Sequence, residues 1–212
     1  MSKKKVEVNA SSFVKSYWNY YIELEQQVWE TRRYVDFNKK NNRTFSIEFL
    51  KLLHAICSEI DVTAKVIAGY INPSFKGATI NCWGYELQQQ FSNIQDCIVE
   101  FNEDYEIQPW KNWRYVIEEK EKNGRKDFKI KLEGKAKNPQ WWISYNKSKH
   151  ERTSMYNNYN TNFERANLKH VTESLAALYI IEKLFSSYIF NKEQAVIEIE
   201  RSKLFSDIKF TI

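Results

Sequence analysis

Residues 141–152, with the sequence WWISYNKSKHER, concentrate side chains that can move protons and hold a phosphate. If this segment is helical, Asn146 and His150 are four residues apart and share a face. A histidine can transfer a proton at physiological pH, and a neighbouring amide can hold a hydroxyl or phosphate oxygen. Lys149 and Arg152 add positive charge beside this pair. These groups suit metal-independent RNA cleavage, in which the ribose 2′-OH attacks the adjacent phosphate.

The residue types alone leave other interpretations open. A single histidine on a helix is more often structural or merely exposed than catalytic. Trp141 and Trp142 stand at the start of the predicted helix, and Trp142 lies one turn before Asn146 on the same face. Such tryptophans usually anchor a helix against its neighbours, although exposed ones also stack on nucleic-acid bases.

The pattern Tyr145-Asn146-x-x-x-His150 precedes a long predicted helix that contains ANLKHVTESLAALYIIEKL. This combination resembles the higher eukaryotes and prokaryotes nucleotide-binding (HEPN) superfamily. Its members are small helical-bundle domains, commonly dimeric, and many are ribonucleases of toxin–antitoxin and phage-defence systems. Their motif is an arginine, a polar residue that is often asparagine, three variable residues and a histidine. Asn146 and His150 match this motif, and Tyr145 occupies the arginine position.

The resemblance implies a role for each side chain of the motif. His150 would be the general acid and base, and Asn146 would assist it. The phosphate would be bound by Lys149, Arg152, Tyr145 and Trp142, and Lys149 or Arg152 would replace the arginine. RNA would be the substrate, and neither a cofactor nor a metal would be needed. Two copies of the motif helix would face each other in a homodimer, and an antitoxin or effector protein would be a further partner.

Because the motif arginine is replaced, a non-catalytic RNA- or protein-binding module of the same fold is the alternative. A scaffold protein with no nucleic-acid role is a third interpretation. The resemblance extends over residues 12–70 and 138–190 and leaves residues 103–137 uncovered. The block YNKSKHER also resembles bacterial proteins that carry a WWxxYNxxKHxR element. Salt-dependent binding of RNA without cleavage would distinguish the module from the ribonuclease.

A second polar stripe precedes this segment, on the second predicted helix. His54, Ser58, Asp61 and Lys65 recur at helical spacing and therefore share one face. Family members often carry an acidic residue on an earlier helix near the motif, so Asp61, or Glu59 beside it, is a candidate to orient His150. The alternative is an ordinary ion pair between Asp61 and Lys65, which contributes a few tenths of a kcal/mol.

Apolar residues at three- and four-residue steps predict the helices that would position these side chains. Ser11 or Ser12 is the predicted cap of the first helix, and Asn138 is the predicted cap of the motif helix, with Pro139 in its first turn. Residues 97–101 are expected to be extended. The predicted helices span residues 12–35, 46–70, part of 80–94, 139–152 and 163–190.

Between the third helix and the motif helix, the pattern indicates a β-hairpin. Asn123-Gly124 is typical of a type I′ two-residue turn, because both positions need a positive φ. The two arms then present apolar pairs on one face and charged pairs on the other. The predicted cross-strand pairs are Ile117 with Ile130, Tyr115 with Leu132 and Glu118 with Lys129.

The hairpin region also carries the net positive charge of the chain. Residues 111–137 contain ten Lys or Arg against five Asp or Glu, and this excess of five equals the net charge of +5 for the whole sequence. Interleaved aromatic residues make a nucleic-acid contact one interpretation, and a solvated hairpin with solubilising lysines is the other. These aromatic residues are Trp110, Trp113, Tyr115 and Phe128.

The amino-acid composition limits the possible fold classes and cellular locations of the protein. With 212 residues, 42% of them hydrophobic, and only five Gly and three Pro, the chain is expected to be one domain, 1–212. The expected fold is mainly α, a helical bundle of about five helices with a basic β-hairpin insertion at about 110–137 and a short strand within 195–212. The three cysteines and three histidines lack metal-ligand spacing. No membrane span or secretory signal is indicated, so a cytoplasmic protein is expected.

Overall fold

The computed structural model describes residues 8–102, 105–122 and 125–210, with the side chains of 120–122 and 125–127 left out. As predicted, the fold is mainly α with small antiparallel sheets. A π-helical stretch, Val14–Trp18, joins α1 to α2, so these two form one continuous rod. The α-helices of the described residues are α1 (Ala10–Phe13), α2 (Asn19–Glu30), α3 (Ile47–Ile71), α4 (Ile80–Gln90), α5 (Gln140–His150) and α6 (Leu168–Glu193).

The pairing of α3 with α6 forms the centre of the bundle. Ser46 begins α3 by accepting a hydrogen bond from the Phe49 amide at 3.0 Å, and Asn167 begins α6 in the same way. The apolar stripe predicted for α3 is buried, with Leu53, Ile56 and Ile60 at 0% exposure. Burying such a side chain contributes about 1.5–3 kcal/mol to the free energy of unfolding. The apolar contact between α3 and α6 is therefore the main source of stability for these two helices.

The predicted caps of two helices are wrong. The first helix is capped by Asn9, whose Oδ1 accepts from the Ser12 amide at 2.9 Å while Ser12 Oγ accepts from the Asn9 amide at 2.9 Å. Ser12 is therefore the third helical residue of a capping box rather than the cap. Pro139, not Asn138, precedes the first residue of α5, because Asn138 Oδ1 instead accepts from the Tyr115 hydroxyl at 2.5 Å.

The last long helix begins five residues later than predicted. Asn162–Arg165 form a 3₁₀ turn, and Ala166 and Asn167 leave helical geometry before α6 begins at Leu168. Asn167 also forms a β-bridge with Phe45. The chain entering α6 is therefore held to the start of α3.

The predicted hairpin register is confirmed at all three predicted pairs. Tyr115 lies opposite Leu132, Ile117 opposite Ile130 and Glu118 opposite Lys129. The predicted turn, Asn123-Gly124, lies outside the described residues. The described strands are β1 (Cys97–Phe101), β2 (Tyr105–Ile107), β3 (Tyr115–Lys122), β4 (Arg125–Leu132) and β5 (Lys209–Phe210).

The second sheet confirms the extended segment at 97–101 and the strand expected within 195–212. In this sheet, β1 is the central strand and pairs antiparallel with β2 and β5. The exposed strand β5 thus forms one edge of this sheet, paired with residues 97 and 98.

A group of packed tryptophans joins the hairpin region, α4 and α5. Trp141 and Trp142 are 1% and 9% exposed, and Trp141 Nε1 donates to the Pro109 carbonyl at 3.1 Å. Trp83 of α4 meets Trp142 edge-to-face, with ring centroids 5.8 Å apart. The paired tryptophans are packing anchors, and they fix the N-terminal half of α5.

Candidate functional site

Tyr145, at the arginine position of the motif, is buried between α5 and α3 rather than presented to solvent. It is 7% exposed, and its ring meets the His54 ring edge-to-face at a centroid distance of 5.5 Å. Trp142 covers another side of the ring at 5.4 Å. Tyr145 therefore serves as part of the helix–helix contact that brings His54 to the motif helix.

His54 of α3 is the imidazole that the fold places against the motif helix. Its Nε2 lies 3.0 Å from Ser148 Oγ, and the Ser148 hydroxyl donates to the Tyr145 carbonyl at 3.0 Å. Since that hydroxyl has only one proton, Nε2–H is the donor to Ser148, and Nδ1 of the neutral ring is the proton acceptor. Burial, and then the charges of Arg152 and Lys149, lower the pKa of His54. The ring is consequently neutral at physiological pH.

Two cations of the predicted site flank this histidine. Lys149 Nζ donates to the Tyr145 hydroxyl at 3.1 Å and lies 5.2 Å from the centroid of that ring. Arg152 Nε donates to the Ser148 carbonyl at 3.2 Å, and the residue is otherwise exposed. We call His54, Ser148, Lys149 and Arg152 the His54 cluster. It combines a neutral base with two positive charges that solvent can reach.

The two motif residues themselves are placed differently from each other. Asn146 is half-buried, and its Nδ2 donates to the Trp142 carbonyl one turn earlier at 3.0 Å. His150 is the exposed last residue of α5, directly after Lys149. No hydrogen bond links Asn146 to His150 among the described residues. His150 is therefore available to a ligand, while the amide group of Asn146 is already used.

The two candidate acids lie on different sides of α3. Asp61 accepts from Lys65 Nζ at 2.5 Å and from Trp83 Nε1 at 3.1 Å, and its charge helps to raise the pKa of Lys149, after the hydrogen bond from Lys149 to Tyr145. Glu59 instead accepts from the Thr63 hydroxyl at 3.2 Å. Burial raises the pKa of Glu59. The ion pair expected as the alternative for Asp61 is present, and neither acid bonds to His150 within the described part of the chain.

The two strands of the basic hairpin, β3 and β4, pack on α4, while Trp110 at the start of the insertion meets Trp141 of α5. Two described cations of the hairpin are engaged in ion pairs, Arg114 with Glu133 at 2.8 Å and Lys131 with Glu118 at 2.6 Å. Cavities of about 290 Å³ beside β3 and about 180 Å³ beside β2 lie away from the His54 cluster. The hairpin is thus a separate surface from the site.

Sequence reasoning identified the stripe that contains His54 but missed its partner, Ser148. The spacing of His54 and Asp61 shows that they share a helical face, which is the face turned to α5 and Trp83. Nothing in the sequence indicates that Ser148 would face His54, since this depends on how α5 crosses α3.

No three His, Cys, Asp or Glu side chains of the described residues are grouped as metal ligands. Within the same ranges, every helix is too short or too polar to cross a membrane. Comparison with family models, curated proteins and solved structures gave no match to this chain.

Proposed function

We propose that this protein binds RNA through the His54 cluster and cleaves it without a metal ion, as a ribonuclease of a toxin or phage-defence type. The observation that carries the proposal is the His54 ring, whose pKa is lowered by burial and then by the charges of Arg152 and Lys149, together with the exposed His150 at the end of α5. A phosphate needs more than one donor, and the cleavage reaction needs groups that accept and return protons.

The proposed reaction uses two imidazoles. Because His150 lies two residues after Ser148, it points about 200° away from it around α5, so the two imidazoles would be His54 of one copy and His150 of the second copy in the homodimer proposed below. One takes the proton of the ribose 2′-OH as that oxygen attacks phosphorus, and the other gives a proton to the departing 5′ oxygen. Lys149 and Arg152 stabilise the negative charge that develops on the phosphoryl oxygens. His150 is the general acid/base, because it is exposed to solvent, and His54 Nδ1 is the second proton carrier.

As an RNA-acting protein it would work in the cytoplasm, as a homodimer in which two α5 helices face each other across a twofold axis. This arrangement would bring two copies of His150 to one cleft. An antitoxin or effector protein would then regulate the assembly. Sedimentation of the purified protein tests the dimer directly.

A second candidate is RNA binding without cleavage. The burial of Tyr145 favours it, because the motif position expected to contact phosphate faces the helix interface, and Lys149 donates to that tyrosine. In this case the cluster would hold phosphate, and His150 would carry out no chemistry.

The test is cleavage of tRNA, mRNA and rRNA by purified protein in the presence of EDTA. His150→Ala should slow cleavage by about 10²–10⁴-fold, the usual contribution of general acid–base catalysis. His54→Asn should also slow it, with folding checked by thermal denaturation. Equal cleavage by wild type and His150→Ala would contradict the ribonuclease, and binding without cleavage would support the second candidate.

Binding itself is tested with single cation variants. Lys149→Ala and Arg152→Ala should each weaken RNA binding and reduce the slope of log affinity against log salt by about one. Lys147→Ala is the matched control, because the Lys147 side chain is 45% exposed on α5 but pairs with Glu151 at 2.8 Å. If all three variants bind RNA as wild type does, the cluster is not the binding site.

A further inference from the structure

The loop that follows the motif helix, residues 151–161, begins and ends beside the His54 cluster. Asn162 Nδ2 donates to the Glu151 carbonyl at 2.9 Å, and the Phe163 amide donates to the Arg152 carbonyl at 3.0 Å. The Asn162 amide also donates to the Ser154 carbonyl at 2.9 Å. We call this segment the Tyr159 loop; it follows the C-terminal end of α5 and includes Arg152.

Internal hydrogen bonds hold the Tyr159 loop in one shape. Asn157 Oδ1 accepts from the amides of Tyr159 at 2.8 Å and of Asn160 at 2.7 Å. The Tyr156 amide donates to the Asn160 carbonyl at 3.0 Å. The loop is therefore a preformed turn rather than an irregular connection.

This preformed turn presents aromatic rings to solvent. Tyr159 is 87% exposed and Tyr156 is 40% exposed. The Arg165 guanidinium lies 4.2 Å from the centroid of the Tyr156 ring. The loop thus has an ordered backbone, yet it exposes the Tyr159 ring to solvent instead of burying it in the core. This combination is typical of binding loops rather than of structural ones.

We propose that Tyr159 is a stacking platform for an unpaired base of the RNA whose phosphate lies on the His54 cluster. This inference rests on the proposed function and names its substrate class as single-stranded or looped RNA. A flat exposed ring on a loop that also carries Arg152 suits a nucleotide, because the ring would take the base and the cations of the His54 cluster would take the backbone. Bases inside a duplex are already stacked on each other and cannot lie on a protein ring.

The experiment measures the affinity of the full chain for a single-stranded oligoadenosine of about 12 nucleotides and for an RNA duplex of the same length. Tyr159→Ala should weaken single-strand binding by about 5- to 150-fold, the range of one base–aromatic stack, and leave duplex binding unchanged. Tyr159→Phe should bind as wild type does, because the ring is kept. Tyr34→Ala is the matched control, since Tyr34 is 88% exposed at another place on the surface.

Stacking has its own readout. A 2-aminopurine base in the single strand should lose fluorescence on binding to wild type and to Tyr159→Phe, but not to Tyr159→Ala. An unchanged affinity in Tyr159→Ala, or an equal loss for single strand and duplex, overturns this inference while the Lys149 and Arg152 variants still test RNA binding. If wild type binds neither RNA, the proposed function fails, and this inference fails with it.

Discussion

Glu182 is an unusual side chain in the interior of the bundle. It is fully buried on α6, and neither carboxyl oxygen has a hydrogen-bond partner in the described part of the chain. Burial raises its pKa well above the ordinary value, and the charge of nearby Glu59 raises it further. Thr63 lies close to both acids, but its hydroxyl donates to Glu59. Glu182 is therefore protonated in the folded protein at pH values where it would be ionised in the unfolded chain.

This shift makes stability depend on pH in a defined direction. The pKa of Glu182 is higher in the folded protein than in the unfolded chain. Protonated Glu182 therefore makes its full contribution to the free energy of unfolding at pH values below the pKa of the unfolded chain. This contribution is lost progressively as the pH rises from there through the folded pKa. The free energy of unfolding of wild type should consequently carry a falling contribution from Glu182 above about pH 4.5, near the unfolded pKa of a glutamate.

Glu182→Gln removes this contribution, because the amide is similar in shape and does not ionise. We expect the stability of the variant relative to wild type to increase between pH 5 and pH 8, as measured by urea unfolding at both values. Glu198→Gln, an exposed substitution, is the control and should follow wild type. Parallel stability curves for Glu182→Gln and wild type would show that Glu182 does not titrate in this way.

Among the elements, α4 and the hairpin depend on a close approach at Gly84. A Cβ there would lie 2.5 Å from Trp113 Cζ2 and 2.7 Å from Tyr115 Cε2. Gln88, one turn later, donates to the Trp113 carbonyl at 2.9 Å and accepts from the Tyr115 amide at 2.9 Å. The glycine and this side chain together fix the hairpin against α4.

Gly84→Ala should therefore destabilise the protein by about 1–3 kcal/mol through overpacking, although alanine is the better helix former. Gly69→Ala is the matched control on α3, where nothing lies within 4 Å of the added Cβ. That substitution should stabilise by up to about 1 kcal/mol. Urea unfolding of both variants measures the difference, and equal changes would mean that the hairpin moves aside without cost.

The elements also show where sequence reasoning succeeds and where it fails. The hairpin pairs, such as Ile117 with Ile130, were predictable because a two-residue turn fixes the register of both strands. The loss of Asn138 as a cap was not predictable, because the competing partner, the Tyr115 hydroxyl, is brought there by tertiary packing. For the same reason the site was only half predictable, since residue spacing indicates faces but not which faces meet.

At the scale of the whole molecule, the buried carboxylate of Glu25 connects α2, in the first part of the chain, with residues 202–204, in its last part. Glu25 of α2 is 1% exposed and accepts from the Tyr21 hydroxyl at 2.6 Å and from the Lys203 and Leu204 amides at 2.8 and 3.3 Å. Ser202 Oγ is a further donor to it. This segment continues to β5, which pairs with β1. Unlike Glu182, Glu25 is fully supplied with partners.

Glu25→Gln should destabilise the protein by at least about 1.5–3 kcal/mol, because charge-assisted hydrogen bonds are lost and the new amide meets other donors. Limited proteolysis should then cut first around residues 200–205. Glu23→Gln is the control, since Glu23 is exposed on the same helix. If proteolysis of Glu25→Gln begins elsewhere, the carboxylate does not hold this segment.

The bonds to Glu25 also have a consequence for the order in which the protein is made. Ribosomal synthesis releases α2 long before residues 202–204, so the Glu25 carboxylate first has no backbone donors and must stay hydrated. Other parts of the protein can pack over the Glu25 side of α2 only after residues 202–204 have emerged from the ribosome. The bundle is consequently completed late in translation, and a nascent chain stalled before this point would remain open along α2.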